Sequence, residues 1–477
     1  MKITVHNLGV LKEAEVDLKP LTVFVGPNNA GKTWLAYTIA SIFSSYGFSK
    51  YMEKYLHAYE ENAPGLYPLL ENAIEQVSKS GTASIDVVQL VREYGELYFN
   101  NVAHVIQQWM PQFMGTQLAS FEHLDISVNV GEAKTYLAQQ VLNVFVRSEI
   151  PAGKQQPLLS MRKKQGDRKL YIYTSVEYAV REVETEKVLP FDIIKEFMVR
   201  TILQILHRSL YHDVCILPTE RTTFITFPFS KRKEVADIPI NQPSKLAGGP
   251  VSYFLHMIGA TFEHSLEDAK QRDENAKNNP RIKKYRQLAD LLEQQILGGE
   301  VKIPPQDANP LQNSESDAGR EILFQPTKES QLEISIASSM VKELSPLVLY
   351  LRYLAEPLEL LIIDEPEMNL HPEAQVKMME FLVMLINADL NVLVTTHSPY
   401  IIDHLTNLIK AAEVSDKDSI RDEFYLKQTE AFISRDKVSV YMVDATGTTK
   451  AMDEDGTINL HTFGEVSDRI SEIYFKL

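Results

Sequence analysis

The chain contains one eight-residue segment with the composition of a phosphate-binding loop, Gly26-Pro27-Asn28-Asn29-Ala30-Gly31-Lys32-Thr33. It fits the pattern G-x-x-x-x-G-K-[ST], in which glycines let backbone N–H groups turn toward anionic oxygens. Lys32 would reach the β- and γ-phosphates of a nucleotide, and the Thr33 hydroxyl would ligate Mg²⁺. The segment therefore predicts nucleotide binding.

Two adjacent acids, Asp364 and Glu365, follow the apolar run from Leu360 to Ile363. Such a run suits a strand buried on both faces of a parallel sheet. At its carboxyl end Asp364 would hold Mg²⁺, mostly through water, while Glu365 points elsewhere and would activate the attacking water as general base. Taken alone, the pair would more often be a solvated turn after a core strand, but its pairing with the glycine loop favours the nucleotide site.

A histidine, His397, follows a further apolar run from Asn391 to Thr396. A neutral imidazole at this strand end could donate a hydrogen bond to a γ-phosphate oxygen. A lone histidine at a strand end is more often structural. Its position on a sheet that carries both phosphate elements favours a role in the site.

The elements around these residues agree with the chemistry. Leu21 to Val25 reads as a buried strand and Trp34 to Phe43 as an apolar helix, so the glycine segment would lie between strand and helix. Before them, Ile3 to Asn7 and Ala14 to Leu18 alternate as a half-buried antiparallel strand pair does. Lys32 and Asp364 are 332 positions apart (364 − 32), so a large insertion divides the nucleotide core.

The insertion itself is mostly helical by pattern, with a charged hairpin of two strands at 158–162 and 170–173. A second helical hairpin is predicted within 262–297, and Asn278-Asn279-Pro280 is its natural break. A polar stretch over 300–320 reads as a flexible linker, and a helix is predicted from Ser338-Ser339 to Leu351.

Composition limits the partners. The net charge of −16 argues against a nucleic-acid binder that works through global charge. Basic clusters at 162–169, 231–233 and 281–286 are either solvated surface or local DNA or RNA contacts. No signal peptide and no run of eighteen apolar residues is present, so a cytoplasmic protein without a membrane span is expected. The single cysteine, Cys215, excludes a disulfide framework within the chain.

Three stretches together resemble a known group: Asn7 to Thr33, Asp364 to Pro372, and Thr395 to Tyr400. They look like an ABC-type ATPase head of the branch that contains Rad50/SMC, RecF and the OLD family. Within it they are most similar to prokaryotic AAA_15/AAA_21-type ATPases associated with anti-phage defence. The resemblance implies an α/β fold, a P-loop ATPase head with a mixed sheet, flanking helices and an antiparallel β subdomain. It also implies ATP and Mg²⁺ as ligands and ATP hydrolysis as the activity.

The resemblance also assigns further residues. Asn369-Leu370-His371 would be the D-loop and His397 the switch histidine. The signature element, which in the family clamps ATP bound to the opposite subunit, would fall at Ser338 and Ser339. A capping serine beside free helix N–H groups suits a γ-phosphate, but the family's glycine is missing here, and a plain helix cap is the alternative. The segment Leu217 to Arg221 also resembles an element of the group whose chemistry the sequence does not assign.

The predicted division of the chain follows from these elements. It comprises an N-terminal lobe of the ATPase head over 1–48, a mainly helical insertion over 49–212, a further head segment over 213–260, a short helical hairpin arm over 261–300, a linker over 301–320 and a C-terminal lobe of the head over 321–477.

Two functions remain open at this stage. The first is the sensor or scaffold ATPase of an anti-phage system, resembling the ATPase subunits of Septu or PARIS. Its heads would associate as a homo-oligomer, at least a head-to-head dimer, and would act with a separate effector, a nuclease or toxin. No nuclease site is recognised in the sequence, and the trigger would be DNA, RNA or a phage protein. The alternative is a DNA-repair ATPase like RecF or Rad50; a transporter ATPase suits the large insertion less well.

Overall fold

The computed structural model describes residues 1–55, 66–131, 133–152, 155–174, 191–226, 249–267, 279–303, 322–459, 472–474 and 476. The chain divides into two compact units. The first comprises Met1–Val5, Ser41–Trp109 and Glu122–Asp213, and the second comprises His6–Ala40, Met110–Phe121 and Val214–Leu477.

The strands of the described residues are short. They are β1 (Lys2–Leu8), β2 (Leu11–Asp17), β3 (Leu21–Val25), β4 (Thr82–Asp86), β5 (Asp125–Asn129), β6 (Val146–Ala152), β7 (Gln155–Lys163), β8 (Lys169–Thr174), β9 (Val214–Leu217), β10 (Glu300–Lys302), β11 (Leu323–Thr327), β12 (Ser330–Glu333), β13 (Leu360–Asp364), β14 (Asn391–Thr396), β15 (Val438–Asp444) and β16 (Gly447–Lys450).

The principal helices of the described residues lie between β3 and β15 along the chain. They are α1 (Lys32–Phe43), α2 (Ser45–Tyr55), α3 (Leu66–Ser80), α4 (Val87–Val105), α5 (Met110–Phe113), α6 (Ala133–Gln140), α7 (Phe191–His207), α8 (Arg221–Ile225), α9 (Gly249–Glu267), α10 (Pro280–Leu292), α11 (Ser339–Tyr353), α12 (Pro372–Asn387) and α13 (Pro399–Glu413). A π-helical turn, Glu293–Leu297, continues α10. None of the helices in the described ranges is long and apolar enough to cross a membrane.

The second unit is built on a mixed sheet in which the strands follow the order β2-β16-β15-β3-β14-β13-β9. Its centre is parallel: β3 pairs in parallel with β14 and β15, and β13 with β14 and β9. The predicted buried strands at β3, β13 and β14 are confirmed, as every one of their residues is buried. The N-terminal strand pair is also present as β1 and β2.

One apolar core supports this sheet in the second unit. Side chains from β3, β13 and β14 pack with those of α10, α11, α12 and α13 in a single buried cluster. Each fully buried Leu, Ile or Val side chain contributes about 1.5–3 kcal/mol relative to leaving it in water. The apolar residues of the strands therefore fix their positions, and the polar residues at their carboxyl ends are held in place by this packed core.

The helical hairpin differs from the sequence prediction. The break is confirmed, because α10 begins at Pro280 and the Asn279 side chain accepts a hydrogen bond from the Arg281 N–H. The preceding helix α9 already begins at Gly249, and α10 packs into the core, where the Tyr285 hydroxyl donates to the Ala388 carbonyl at 2.8 Å. It packs there because its apolar spacing gives it one continuous buried face.

The polar linker predicted over 301–320 is only partly described. Its first residues belong to β10, which pairs antiparallel with β11, while β12 completes this three-stranded sheet. Residues 304–321 lie outside the described residues, as do the basic residues at 231–233.

The first unit contains a sheet that the sequence pattern does not reveal. The charged hairpin is confirmed as β7 and β8, but it belongs to a four-stranded antiparallel sheet in the order β4-β8-β7-β6. The insertion thus contains a sheet in addition to its helices. Short edge strands of mixed polar and apolar residues, such as β6, carry too little alternation to be distinguished from loops.

Candidate nucleotide site

The carboxyl ends of three parallel strands meet at one edge of the sheet in the second unit. β3 leads into the glycine loop and α1, β13 ends at Asp364, and β14 ends just before His397. A cleft of about 870 Å³ opens there, and it is lined by the β1–β2 turn, by Asn28 to Trp34, and by Glu365 and His397. Ligands of open parallel sheets bind at such edges.

The glycine loop has the backbone that its sequence requires. Gly26, Asn29 and Gly31 have φ angles of 152°, 62° and 94°, values that L side chains rarely adopt. A Cβ on Gly26 would lie 2.1 Å from the Val443 carbonyl oxygen of β15. The loop therefore passes against the sheet with no room for a side chain, and α1 begins at Lys32.

Lys32 is a buried cation at this helix start. Its Nζ donates to the carbonyls of Gly26 and Pro27 at 3.1 and 2.9 Å, and it lies 2.9 Å from His397 Nε2. Burial lowers the pKa of Lys32, and the negative charge of Glu365 opposes that shift. The ammonium group is thus held over the loop, where a phosphate oxygen would replace its carbonyl partners.

Asp364 is fully buried among hydroxyl groups. Thr33 Oγ1 lies 3.0 Å from Asp364 Oδ1, the Tyr37 hydroxyl donates to Oδ2 at 3.2 Å, and the Thr395 hydroxyl donates to Oδ1. Burial raises the pKa of Asp364, while hydrogen bonds from Thr395 and Thr33 lower it. These donors compensate for part of the cost of burying a carboxylate.

The same oxygens fit Mg²⁺. A hydroxyl and a carboxylate oxygen at 3.0 Å from one another are hard ligands of the kind that Mg²⁺ takes beside substrate phosphates and water. In the part of the chain that the structure describes, no group of three or more His, Cys, Asp or Glu side chains could hold a metal by itself.

Glu365 points into the cleft, unlike its neighbour Asp364. Its backbone is left-handed, with φ at 51°, and its N–H donates to the Thr395 carbonyl at 3.0 Å. Its side chain is 28 % exposed, and Oε1 lies 3.2 Å from His397 Nε2. Of these two consecutive acids, Asp364 is therefore buried and Glu365 is partly exposed to solvent.

His397 lies between Lys32 and Glu365. Burial lowers its pKa, the Lys32 charge acts in the same direction, and Glu365 raises it. The imidazole is therefore biased toward its neutral form. Its backbone N–H donates to Glu367 Oε1 at 2.6 Å, which fixes the residue at the end of β14.

The structure does not bring Ser338 and Ser339 into this cleft. Ser338 caps α11, and its Oγ accepts from the Val341 N–H at 3.3 Å, as the plain-cap alternative requires. Both serines are exposed, so the start of α11 is accessible from solvent.

Several residues of the site were missed by sequence reasoning. Tyr37 could have been found, because it follows Thr33 by four positions and so shares a face of α1. Glu367 follows Asp364 in a loop, and no local pattern distinguishes it from a solvated acid. Arg221 was singled out only as part of a segment of unassigned chemistry; its guanidinium donates to the carbonyls of Asp364 and Glu365.

Comparison with protein families matches two parts of the chain. Residues 1–104 match the AAA_15 model, described as "AAA ATPase domain", and residues 244–403 match the AAA_21 model, described as "AAA domain, putative AbiEii toxin, Type IV TA system". A comparison with curated proteins finds no match.

Solved structures show distant similarity. The Smc head domain of Pyrococcus furiosus bound to the C-terminal domain of ScpA is 11 % identical, with 98 % of each chain covered and a TM-score of 0.35. The SMC head domain of Thermotoga maritima is 10 % identical, with 95 % of this chain and 98 % of that chain covered and a TM-score of 0.31. The recombination mediator protein RecF is 10 % identical, with 94 % and 97 % covered and a TM-score of 0.32.

The residue ranges of the two family matches include the cleft residues named above. The first includes the glycine loop, and the second includes Asp364, Glu365 and His397. Both models describe AAA-type domains, so the matches support an ATPase.

Proposed function

We propose that this chain binds ATP with Mg²⁺ in the cleft and hydrolyses it to ADP and phosphate. The observation that carries the proposal is the meeting of Lys32, Thr33, Asp364, Glu365 and His397 at one sheet edge. A phosphate-binding loop, a magnesium ligand pair and an exposed carboxylate are the parts that phosphoryl transfer to water requires.

Each residue has a distinct part in the reaction. The loop N–H groups and Lys32 bind the phosphates, and the dipole of α1 favours their negative charge. Thr33 and Asp364 would hold Mg²⁺, which neutralises charge on the β- and γ-phosphate oxygens when bound. Glu365 accepts a proton from water as the water oxygen bonds to the γ-phosphorus, and the bond to the bridging oxygen of ADP breaks. Neutral His397 donates a hydrogen bond to a γ-phosphate oxygen.

We further propose that two copies associate around ATP. The exposed start of α11 combines the N–H groups of a helix N-terminus with two serine hydroxyls, which together suit a γ-phosphate. Ser338 and Ser339 of one copy would therefore contact the nucleotide in the cleft of the other. Hydrolysis would remove the shared phosphate and release the heads, so that ATP controls the association.

The biological setting that we propose is anti-phage defence, with a separate effector protein. The AAA_21 description names a toxin–antitoxin system, which is consistent with such a setting. Described residues of the basic clusters give the DNA-repair alternative less support, because Arg162, Arg168 and Arg281 pair with Glu149, Asp86 and Asp389. These cations are engaged within the protein instead of forming a free basic surface.

The test of the ATPase proposal is Glu365→Gln. The variant should bind MgATP within about 3-fold of the wild type, but its kcat should fall by about 10²–10⁴-fold because the general base is lost. It should also accumulate the dimer in MgATP, as measured by light scattering after size exclusion. Glu373→Gln, which alters an exposed acid paired with Lys377, is the matched control. Normal turnover in Glu365→Gln would remove Glu365 as the base.

The defence role requires a separate test. Cells that carry the chain with its neighbouring genes would be challenged with phage, alongside cells that carry Lys32→Ala. Protection that is lost in the variant would support the proposal. ATP hydrolysis stimulated by gapped DNA, without any protection, would favour the repair alternative.

A further inference from the structure

A buried guanidinium lies directly behind the turn that presents Glu365. Arg221, the first residue of α8, is 1 % exposed. Its NH1 donates to the carbonyls of Pro218 and Asp364, both at 2.7 Å, and its NH2 donates to the Glu365 carbonyl at 2.9 Å. One side chain thus binds the backbone of both acids of the site.

The counter-charge of Arg221 comes from a different element. Glu343, in the second turn of α11, is 1 % exposed and forms an ion pair with Arg221 NH2. Glu343 also accepts hydrogen bonds from the Thr222 hydroxyl and, at 3.3 Å, from Asn369 Nδ2. Arg221 and Glu343 therefore connect the Asp364–Glu365 turn to α11, the helix that begins after Ser338.

The Glu365 backbone needs such support. Its left-handed φ of 51° is sparsely populated for a residue with a side chain, and it persists where the surroundings fix it. The Thr395 carbonyl accepts from its N–H, and Arg221 donates to its carbonyl. Both peptide groups of Glu365 are therefore held, and these two contacts fix the backbone from which its carboxylate extends into the cleft.

We propose that Arg221 is a positioning residue for Glu365, and that Glu343 makes this position depend on α11. The inference rests on the proposed function, since it concerns the carboxylate that would activate water. When the start of α11 meets the nucleotide of a second copy, a shift of the helix moves Glu343, and Arg221 carries the shift to Glu365. Turnover is thereby linked to association of the two heads.

A purely structural ion pair would behave differently. Replacing a buried ion pair with apolar side chains is often neutral for stability. If the pair were only structural, such a replacement would leave kcat unchanged as well. Lysine would also satisfy the charge of Glu343. It has no planar fork, however, and cannot keep the separate hydrogen bonds to the carbonyls of Asp364 and Glu365. The two roles are therefore separable by substitution.

The chain offers a matched control on the same helix. Arg352, in the last turn of α11, forms an ion pair with the buried Glu293 at 2.6 Å. It also donates to the Val301 carbonyl of β10 at 2.8 Å. Arg352 thus resembles Arg221 in its chemistry, but neither it nor its partners line the cleft.

The experiment compares Arg221→Lys, the double variant Arg221→Met/Glu343→Met, and Arg352→Lys. Measurements are kcat and KM for MgATP, the affinity for a fluorescent ATP analogue, and the urea midpoint. Arg221→Lys should lower kcat by about 10- to 100-fold, as expected for a displaced catalytic group, while KM and analogue affinity stay within about 3-fold. The double variant should keep the urea midpoint without recovering kcat. Arg352→Lys should retain wild-type kcat.

Other outcomes would overturn the inference. If Arg221→Lys turns over as fast as Arg352→Lys, Arg221 does not position Glu365. If the double variant recovers kcat together with stability, Arg221 acts only in folding. Both results presuppose that the wild type hydrolyses ATP and that Glu365→Gln does not. Failure of that condition would instead refute the proposed function, and the inference would be refuted with it.

Discussion

The glycine loop can be tested through the packing of a single backbone position. Gly26 has a φ of 152°, and a Cβ added to it would lie only 2.1 Å from the Val443 carbonyl oxygen. That oxygen belongs to β15, which pairs in parallel with β3. It cannot rotate away as a side chain would. Gly26→Ala must therefore displace the loop or separate the two strands.

The size of the effect follows from two contributions. A backbone conformation that side-chain-bearing residues rarely adopt costs about 1–3 kcal/mol. Overpacking against a fixed neighbour costs about 1–3 kcal/mol more. We therefore expect Gly26→Ala to lower the free energy of unfolding by about 2–6 kcal/mol. Gly298→Ala is the control: φ is 68° there, nothing lies within 4 Å of the new Cβ, and the cost should be about 1 kcal/mol.

Urea unfolding followed by tryptophan fluorescence distinguishes the two variants. Trp34 belongs to the second unit and Trp109 to the first, so a Trp109→Phe background reports on the unit that contains both glycines. With an m-value of about 2–3 kcal/mol/M, Gly26→Ala should lower the midpoint by about 0.7–3 M, and Gly298→Ala by about 0.5 M or less. Equal shifts would refute the close packing of the loop against β15.

Three further predictions concern charged and hydroxyl groups. Lys32→Ala should abolish binding of a fluorescent ATP analogue, because the cation that meets the phosphates is lost. Thr33→Val should raise the Mg²⁺ concentration needed for half-maximal ATP hydrolysis by at least about 10-fold, as loss of a hydrogen-bonding ligand to a charged group implies. His207 is buried and is hydrogen-bonded to the Tyr98 hydroxyl and the Ser44 carbonyl. Burial lowers the pKa of its imidazole to about 4. As the pH falls below about 6.5, the unfolded state takes up a proton on this histidine before the folded state does. The contribution of neutral His207 to the free energy of unfolding should therefore be full above about pH 6.5 and should fall by up to about 3 kcal/mol toward pH 4.

Each of these predictions has a control. ATP affinity within a few fold of the wild type in Lys32→Ala would contradict the phosphate-binding assignment, and Lys12→Ala should leave affinity unchanged. Thr33→Ser keeps the hydroxyl and should keep the Mg²⁺ requirement. For His207, urea midpoints of the first unit are measured by Trp109 fluorescence in a Trp34→Phe background between pH 7 and pH 5. His207→Gln should remove most of the slope, and an unchanged slope would assign the pH dependence to other groups.

The parts of the site that sequence predicts are those that follow apolar runs. The glycine loop, the two acids and His397 each come directly after a strand whose residues are all buried. Carboxyl ends of parallel strands share one edge of a sheet, so positions more than three hundred residues apart in the chain were expected to meet. The structure shows this meeting as a hydrogen bond between the Thr33 hydroxyl and the Asp364 carboxylate.

The parts that sequence could not predict depend on long-range contacts. Arg221 and Glu343 belong to different helices, and neither has a periodic pattern that marks it as buried. Burial of an ion pair is decided by the tertiary packing around it, and typical arginines and glutamates are exposed. The four-stranded sheet of the first unit was missed for a related reason. Its edge strands gain their order from neighbours along the sheet more than from their own alternation.

The two acids show how far local sequence constrains such a site. Strand alternation alone would direct Asp364 and Glu365 to opposite faces, but it would not bury one and open the other. The burial of Asp364 depends on α1, because Thr33 and Tyr37, one turn apart on that helix, both donate to its carboxylate. The helix that would receive the phosphates is therefore tied to the strand that carries the acids. Glu365 owes its exposure to the left-handed turn that Arg221 holds from behind. The geometry of the cleft thus depends on the buried contacts behind it as much as on the residues that line it.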